Sequence, residues 1–244
     1  GDERMVEAVK ALRRGDGALL DQLLAEHVAR VTGNPSPLAP PRRSGPEGAL
    51  GDSPAAWADR VVRRTFDLVG AARWSEAHLV ATAAVAAFGE LEDDSELARI
   101  LAAAAVTGTG VGQSNDAFDL AVRAMVHLWS GELTPAAAAS TANTLGSFIE
   151  RLGAWDLAAD QYSIALDHLD LSTHIGTTRA HLTVQNLAFT LHAVLDSDHP
   201  LEAARVAELI QRVRELLVVL EATQQTSHGV IAAHFVELVL ALAE

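Results

Sequence analysis

One short phrase recurs along this chain: an aromatic residue, two further residues, then alanine, placed where a helix opens just after a turn. It reads Trp74-Ser75-Glu76-Ala77, Phe118-Asp119-Leu120-Ala121 and Trp155-Asp156-Leu157-Ala158, with a degenerate copy at Pro200-Leu201-Glu202-Ala203. The marked alanines, at 77, 121, 158 and 203, are spaced by 44, 37 and 45 positions. A period of that length fits a pair of helices with connections of variable length, and it limits the fold sharply. Ordering the backbone of one such hairpin costs more than burying its single apolar face returns. Neighbouring hairpins must therefore cover one another. The small alanine has its own role, since it lets two helices approach closely where they cross.

Composition points the same way. Apolar residues make up 49% of the chain but aromatics only 5%, so the core is built from Ala, Leu and Val. Ala and Leu are the strongest helix formers, whereas strands favour β-branched and aromatic residues. Three segments follow from the pattern. Residues 1–32 read as a helical pair broken at Gly15-Asp16-Gly17, with Met5, Val9 and Leu12, then Leu19, Leu23, Leu24, Val28 and Val31 at helical spacing. Residues 33–54 carry six of the eight prolines, which remove helix donors and restrict the residues before them, and so read as a linker. Residues 55–244 hold helical periodicity almost throughout. The predicted fold is all-α, a stack of helical hairpins.

The formal charge of −14 disfavours nucleic acid and anionic membrane surfaces as partners, because any local basic patch would work against the field of the rest. With no cysteine, a disulfide framework, a thiolate nucleophile and a sulfur-ligated zinc site are all ruled out. Apolar stretches such as Leu79 to Phe88 and Ile100 to Val106 fall short of the roughly 20 residues that a membrane helix needs. Gly1-Asp2-Glu3-Arg4 carries no signal-peptide pattern, and a cytoplasmic location is expected. The missing initiator Met and the helical reading up to Glu244 lead us to expect a piece of a longer chain. Lys10 is the only lysine, and this arginine bias, with the abundant alanine, points to a GC-rich bacterial genome.

Two features invite a chemical reading and do not sustain it. Gly108-Thr109-Gly110-Val111-Gly112 follows the run Ile100 to Val106 much as a phosphate loop follows a strand, yet the run is mostly alanine and no strand-helix alternation surrounds it. A flexible loop between helices is the expectation there. His174, His181 and His192 are spaced by 7 and 11, close to whole helical turns, and would form a stripe on one continuous helix. Metal sites need ligands that converge at closer spacing, such as His pairs at i, i+4. We expect no metal and no cofactor, and no Ser/His/Asp arrangement rises above scatter.

Ser140 to Asp170 is the sharpest unit. It supplies Leu145-Gly146, a turn glycine at Gly153, then Trp155, Ala158, Tyr162 and Ala165-Leu166, and on these residues it resembles the tetratricopeptide repeat. It departs from that pattern at Ala142, Ile149 and Asp170, where the family prefers a large aromatic, a Tyr and a closing Pro. The resemblance implies a right-handed solenoid whose first helices line a concave groove, with amides there holding an extended peptide backbone. Carried over, the groove positions are Asn143, Ser147, Glu150 and Arg151. In the next unit, aligned on Asn186-Leu187-Ala188 against Thr144-Leu145-Gly146, they are Gln185, Asn186, Phe189 and His192. The implied role is that of a binding or regulatory module in a bacterial signalling protein, with a protein or peptide segment as partner and a homodimer left open. Repeats of this kind often precede an output domain such as a diguanylate cyclase. A small-molecule sensor with a pocket between helices, or an enzyme without a readable motif, are the competing readings.

Charge alone generates one prediction. Protonating all ten histidines while the acids stay ionised would move the net charge from −14 to −4, and self-repulsion would fall with it. Solubility should pass through a minimum near the sequence pI of about 5.0, as measured by turbidity across a pH series.

Overall fold

The computed structural model describes residues 53–89, 94–195 and 203–223, together with isolated helical positions at Leu19, Gln22, Leu23, Glu26, Ala29, Val236 and Leu240. The expected helical pair of residues 1–32 and the linker of 33–54 lie outside the described residues, apart from the first five of those positions, Ser53 and Pro54. Among the described residues there are eight helices and no strand. They are α1 (Pro54–Gly70), α2 (Trp74–Gly89), α3 (Asp94–Gly110), α4 (Ser114–Ser130), α5 (Pro135–Arg151), α6 (Trp155–Asp167), α7 (His174–Leu195) and α8 (Ala203–Thr223). Two of them start on the same signal. Ser53-Pro54 opens α1 and Thr134-Pro135 opens α5, the hydroxyls accepting from the Ala56 and Ala137 amides at 3.2 and 3.3 Å. The cap satisfies an orphan amide, and proline at the first helical position has none to leave unpaired.

The chain divides into two compact units, Gly1–His127 and Leu128–Glu244. In the first, α1 packs on α2, α2 on α3, and α1 also on α3. Trp57 and Phe88 stack at its centre with ring centroids 5.1 Å apart. Helix α3 is buried at every position from Glu96 to Gly108, which is why its sequence is apolar on all sides rather than striped. Its two buried charges are paired: Arg99 bonds Glu96 one turn away at 2.8 Å and reaches Asp59 on α1. His78 on α2 is buried with both ring nitrogens engaged, by the Thr107 hydroxyl at 3.1 Å and the Gln113 amide oxygen at 2.9 Å.

Here the structure corrects the sequence reading. Gly108-Thr109-Gly110 is the last turn of α3 rather than a flexible loop. Side-chain volume is the reason: a Cβ on Gly108 would come within 2.9 Å of the Ala117 Cβ, and one on Gly110 would overlap the Trp74 ring. The glycines are there for close approach. Phe118, the aromatic of the second phrase, is exposed rather than packed, as are Val122, Val126 and Trp129 along the same face of α4.

In the second unit α5 packs on α6, α6 on α7 and α7 on α8, with a lighter contact between α5 and α7. Ala158 and Tyr162 of α6 are fully buried, whereas Trp155 is only half-buried at the first position of the helix. The aromatic that fills the core of this hairpin is therefore not Trp155 but Tyr162, two turns further along the helix. Its ring lies on Gly146 of α5, where an added Cβ would stand 2.5 Å from the ring.

Two pairs of bonds define the stacking of this unit. Arg179 Nη1 donates to the Ala136 carbonyl at 3.5 Å and Asn186 Nδ2 to Asn143 Oδ1 at 3.3 Å, each joining residues 43 apart. Helices α5 and α7 therefore run side by side in the same direction. Arg205 on Asp160 and Arg212 on Asp167, each 45 apart, do the same for α8 and α6. Hairpin α7–α8 is thus set beside hairpin α5–α6 with both helices keeping their direction.

Gly146→Ala should cost about 1–3 kcal/mol, because the buried Tyr162 ring has no room to retreat, and Tyr162→Ala about 3–5 kcal/mol through the cavity it leaves. Urea unfolding of both variants checks this. An unchanged midpoint for Gly146→Ala would remove the close approach as a determinant.

Candidate functional site

The residues singled out from sequence fall on α5 and α7, and their helical spacing decides what each can do. On α5 the buried positions are 137, 138, 139, 141, 142, 144, 145, 146, 148 and 149, and α6 packs on this helix. Asn143, Ser147 and Glu150 are half-buried at their border and Arg151 is exposed. On α7 the buried positions among those described are 176, 180, 183, 184, 187, 188, 190, 191 and 194, while Gln185 and Phe189 are exposed and Asn186 and His192 half-buried. The eight residues thus lie on the parts of two parallel helices that the core leaves uncovered.

Asn143 and Asn186 come together in the 3.3 Å bond. It uses one proton of Asn186 and one lone pair of Asn143. The Asn143 NH₂ and the Asn186 side-chain oxygen are not used in this bond, one a donor group and the other an acceptor.

Ser147 and Glu150 belong to a second group organised by Tyr162. The Tyr162 hydroxyl donates to Glu150 Oε2 at 2.8 Å, and Ser147 Oγ lies 3.2 Å from the phenol oxygen and 3.4 Å from the Asn143 carbonyl. The one phenolic proton is spent on Glu150, and the single Ser147 proton is shared between the Asn143 carbonyl and the phenol oxygen. Burial raises the pKa of Glu150 above the usual carboxylate value, against the lowering pull of the Tyr162 bond and the Arg151 charge. Burial likewise pushes the Tyr162 phenol far up, which keeps it a donor at any pH the protein meets. A carboxylate, a phenol and a hydroxyl held this way hold a side chain in place; no nucleophile is activated by them.

Leu182, Arg179 and the reach of the Tyr162 hydroxyl were missed in the sequence. Leu182 is 53% exposed one turn before Gln185 and Asn186, and the sequence-derived Phe189 is 50% exposed one turn after them, so two apolar side chains flank the amides. Arg179 lies a further turn along, beside Ala136. Leu182 and Arg179 carry no motif; only the register of 43 between the two helices shows that they share a face with Asn143. Tyr162 was read as packing alone, and its hydroxyl proves to reach the same edge.

His181 and His192, eleven positions apart on α7, share a direction, and burial lowers the pKa of His181. Among the described residues no group of three His, Cys, Asp or Glu side chains is placed to hold an ion. No helix among them is long and apolar enough to cross a membrane.

No family model matches the chain, and no curated protein matches it either.

The raised pKa of Glu150 sets the sign of a pH effect. A carboxyl that holds its proton more tightly when folded stabilises the fold below the unfolded value, 4.5, and this contribution is lost as pH rises through the folded value. At neutral pH the ionised Glu150 is therefore a cost. Glu150→Gln keeps an acceptor for Tyr162 and removes the charge, so it should raise the melting temperature at pH 7, with the gain over wild type shrinking as pH is lowered toward 4.5. A constant difference across that series would place the effect elsewhere.

Proposed function

We propose that this chain is a binding module of the tetratricopeptide kind, in which the hairpins continue as a right-handed solenoid and the α5–α7 face is part of its concave groove. The groove takes an extended segment of a partner protein or of a neighbouring domain, as a regulatory part of a bacterial signalling protein. On this reading the chain acts by capture rather than by catalysis.

One observation carries the proposal: Asn186 and Asn143 meet across two parallel helices, with exposed Leu182 and Phe189 on either side. Side-chain amides offer donor and acceptor together and match a peptide bond on both of its edges. A bulky apolar pair that stays open to water beside these amides is what a partner side chain would fill. The parallel setting of α5 and α7 supports the groove, because first helices that all run one way present their uncovered sides in one row. Backbone bonds of this sort contribute only about 0.5–1.5 kcal/mol each, so binding would be distributed over several contacts.

The double variant Asn143→Ala, Asn186→Ala should reduce partner capture in a pull-down from the source cell, while helicity and melting temperature stay close to wild type. The same proteins captured at equal yield by both forms would take these amides out of the binding site.

A further inference from the structure

Helix α4 carries two apolar stripes, and the protein covers only one of them. Ala117, Ala121, Ala124 and Leu128 are buried, at the i, i+4, i+7, i+11 spacing of a core face. Beside them Phe118, Val122, Val126 and Trp129 are 41–68% exposed. At 3.6 residues per turn these four fall within about a quarter of the helix circumference, in a band about 16 Å long. Asp119 and Arg123, both exposed, border it on the side away from the core face. No other helix among the described residues leaves more than two bulky apolar side chains exposed, so a stripe that matches this one in length is found on α4 of another copy.

We propose that this band is the interface of a homodimer, in which α4 packs antiparallel on α4 of a second copy. Side-chain size sets the direction. In the antiparallel pair Phe118 of each copy lies against Trp129 of the other and Val122 against Val126, about a two-fold axis level with Ala124. Each end then holds one Phe and one Trp, and the helices stay equidistant. A parallel pair would set Trp129 on Trp129 at one end and Phe118 on Phe118 at the other, and so splay the axes toward the Trp end. The opposed helix dipoles favour the antiparallel setting as well. With a two-fold axis the patch is its own complement, and the assembly closes at two copies.

The area is sufficient for a specific contact. A buried aromatic side chain covers about 150–250 Å², so the exposed parts of the two rings and two valines amount to roughly 400 Å² per copy. Homodimer interfaces are roughly 65% apolar, so two such patches correspond to about 1,200 Å² of total contact, the lower end of the range for specific interfaces. That size suits a dimer of micromolar affinity rather than a permanent one. Each copy carries a net charge of −14, so long-range repulsion opposes the pairing, and salt tightens it by screening that repulsion. The pairing stands on α4 alone and needs nothing from the α5–α7 face.

Sedimentation equilibrium of the full 244-residue chain, from micromolar to millimolar concentration, tests the pairing. A monomer–dimer equilibrium should appear and shift toward dimer as salt is raised. Val122→Asp with Val126→Asp should weaken it by about tenfold or more, with helicity and melting temperature unchanged, because both side chains face water in the monomer. Disulfide trapping fixes the direction, since the chain has no cysteine of its own. In the antiparallel pair positions 122 and 126 oppose each other, whereas each is displaced from its own counterpart by about 5–7 Å along the axis. Added to the separation of the helices, that displacement exceeds the reach of a disulfide. A mixture of Val122→Cys and Val126→Cys proteins should therefore cross-link on oxidation, and neither protein alone should. Cross-linking of each protein with itself would overturn the antiparallel pairing. A chain monomeric throughout, or a dimer indifferent to Val122→Asp with Val126→Asp, would overturn the interface itself.

Discussion

With no β-carbon at Gly146, the ring of Tyr162 rests directly on the backbone of α5, and the two helices of that hairpin come closer than ordinary side chains would permit. Much else in the second unit is arranged by this approach. A ring that deep needs a partner for its hydroxyl, since an unsatisfied buried donor is costly. Glu150 and Ser147, one turn apart on the far side of Gly146, supply it. That in turn sets both side chains at the border of the uncovered face, next to Asn143. The packing of the hairpin and the polar edge of the candidate groove are thus one arrangement seen from two sides. The first unit uses the same device with different residues, the Trp74 ring lying over Gly110 near the end of α3.

Hydrophobic contact alone would leave the hairpins free to slide, because alanine-rich surfaces offer few large knobs to lock a register. Polar side chains fix it. Arg205 and Arg212, one on Asp160 and the other on both Asp167 and Ser163, are half-exposed at a third of their surface, where ion pairs add little stability. Their value lies in selecting one alignment among several of similar burial. The Asn143–Asn186 bond makes the same choice on the opposite helices. A residue in this position therefore has two duties, and a change there tests alignment as well as binding.

How far the chain could be read in advance depends on which physical scale each feature lives on. Helix content and hairpin period were legible, because 3.6-residue periodicity and turn glycines act within one element. Helices α2 and α6 begin at Trp74 and Trp155, as the recurring phrase predicts. The alignment that paired Asn186 with Thr144 was one residue from the observed Asn186–Asn143 bond, since a side chain reaching across to a neighbour need not meet its own counterpart. Burial was less legible than periodicity. Trp155 opens a helix and is covered on one side only, whereas Tyr162 sits on a glycine that sequence reading took for a family mark rather than a seat. The glycines at 108 and 110 look alike in a loop and at a tight helix end, and only the positions of Ala117 and Trp74 separate the two. Leu182 and Arg179 join the site through register, a relation between helices that no local pattern encodes.

The bonds that set hairpin beside hairpin in the second unit all close loops of 43 to 49 residues. A chain whose contacts stay that near in sequence forms them quickly, because little loop entropy is lost before each contact begins to help. It also comes apart in pieces. Stability in such a stack is carried by each hairpin and its immediate neighbour, so an opening at one edge spreads inward one hairpin at a time instead of dissolving the whole. Amide exchange should then grade along the unit, slowest around Gly146 and Tyr162 and faster outward, and a chain stretched from its ends would lengthen in steps of one hairpin. A ligand lying across α5 and α7 would clamp two adjacent steps together, and so turn a binding event into resistance against unravelling.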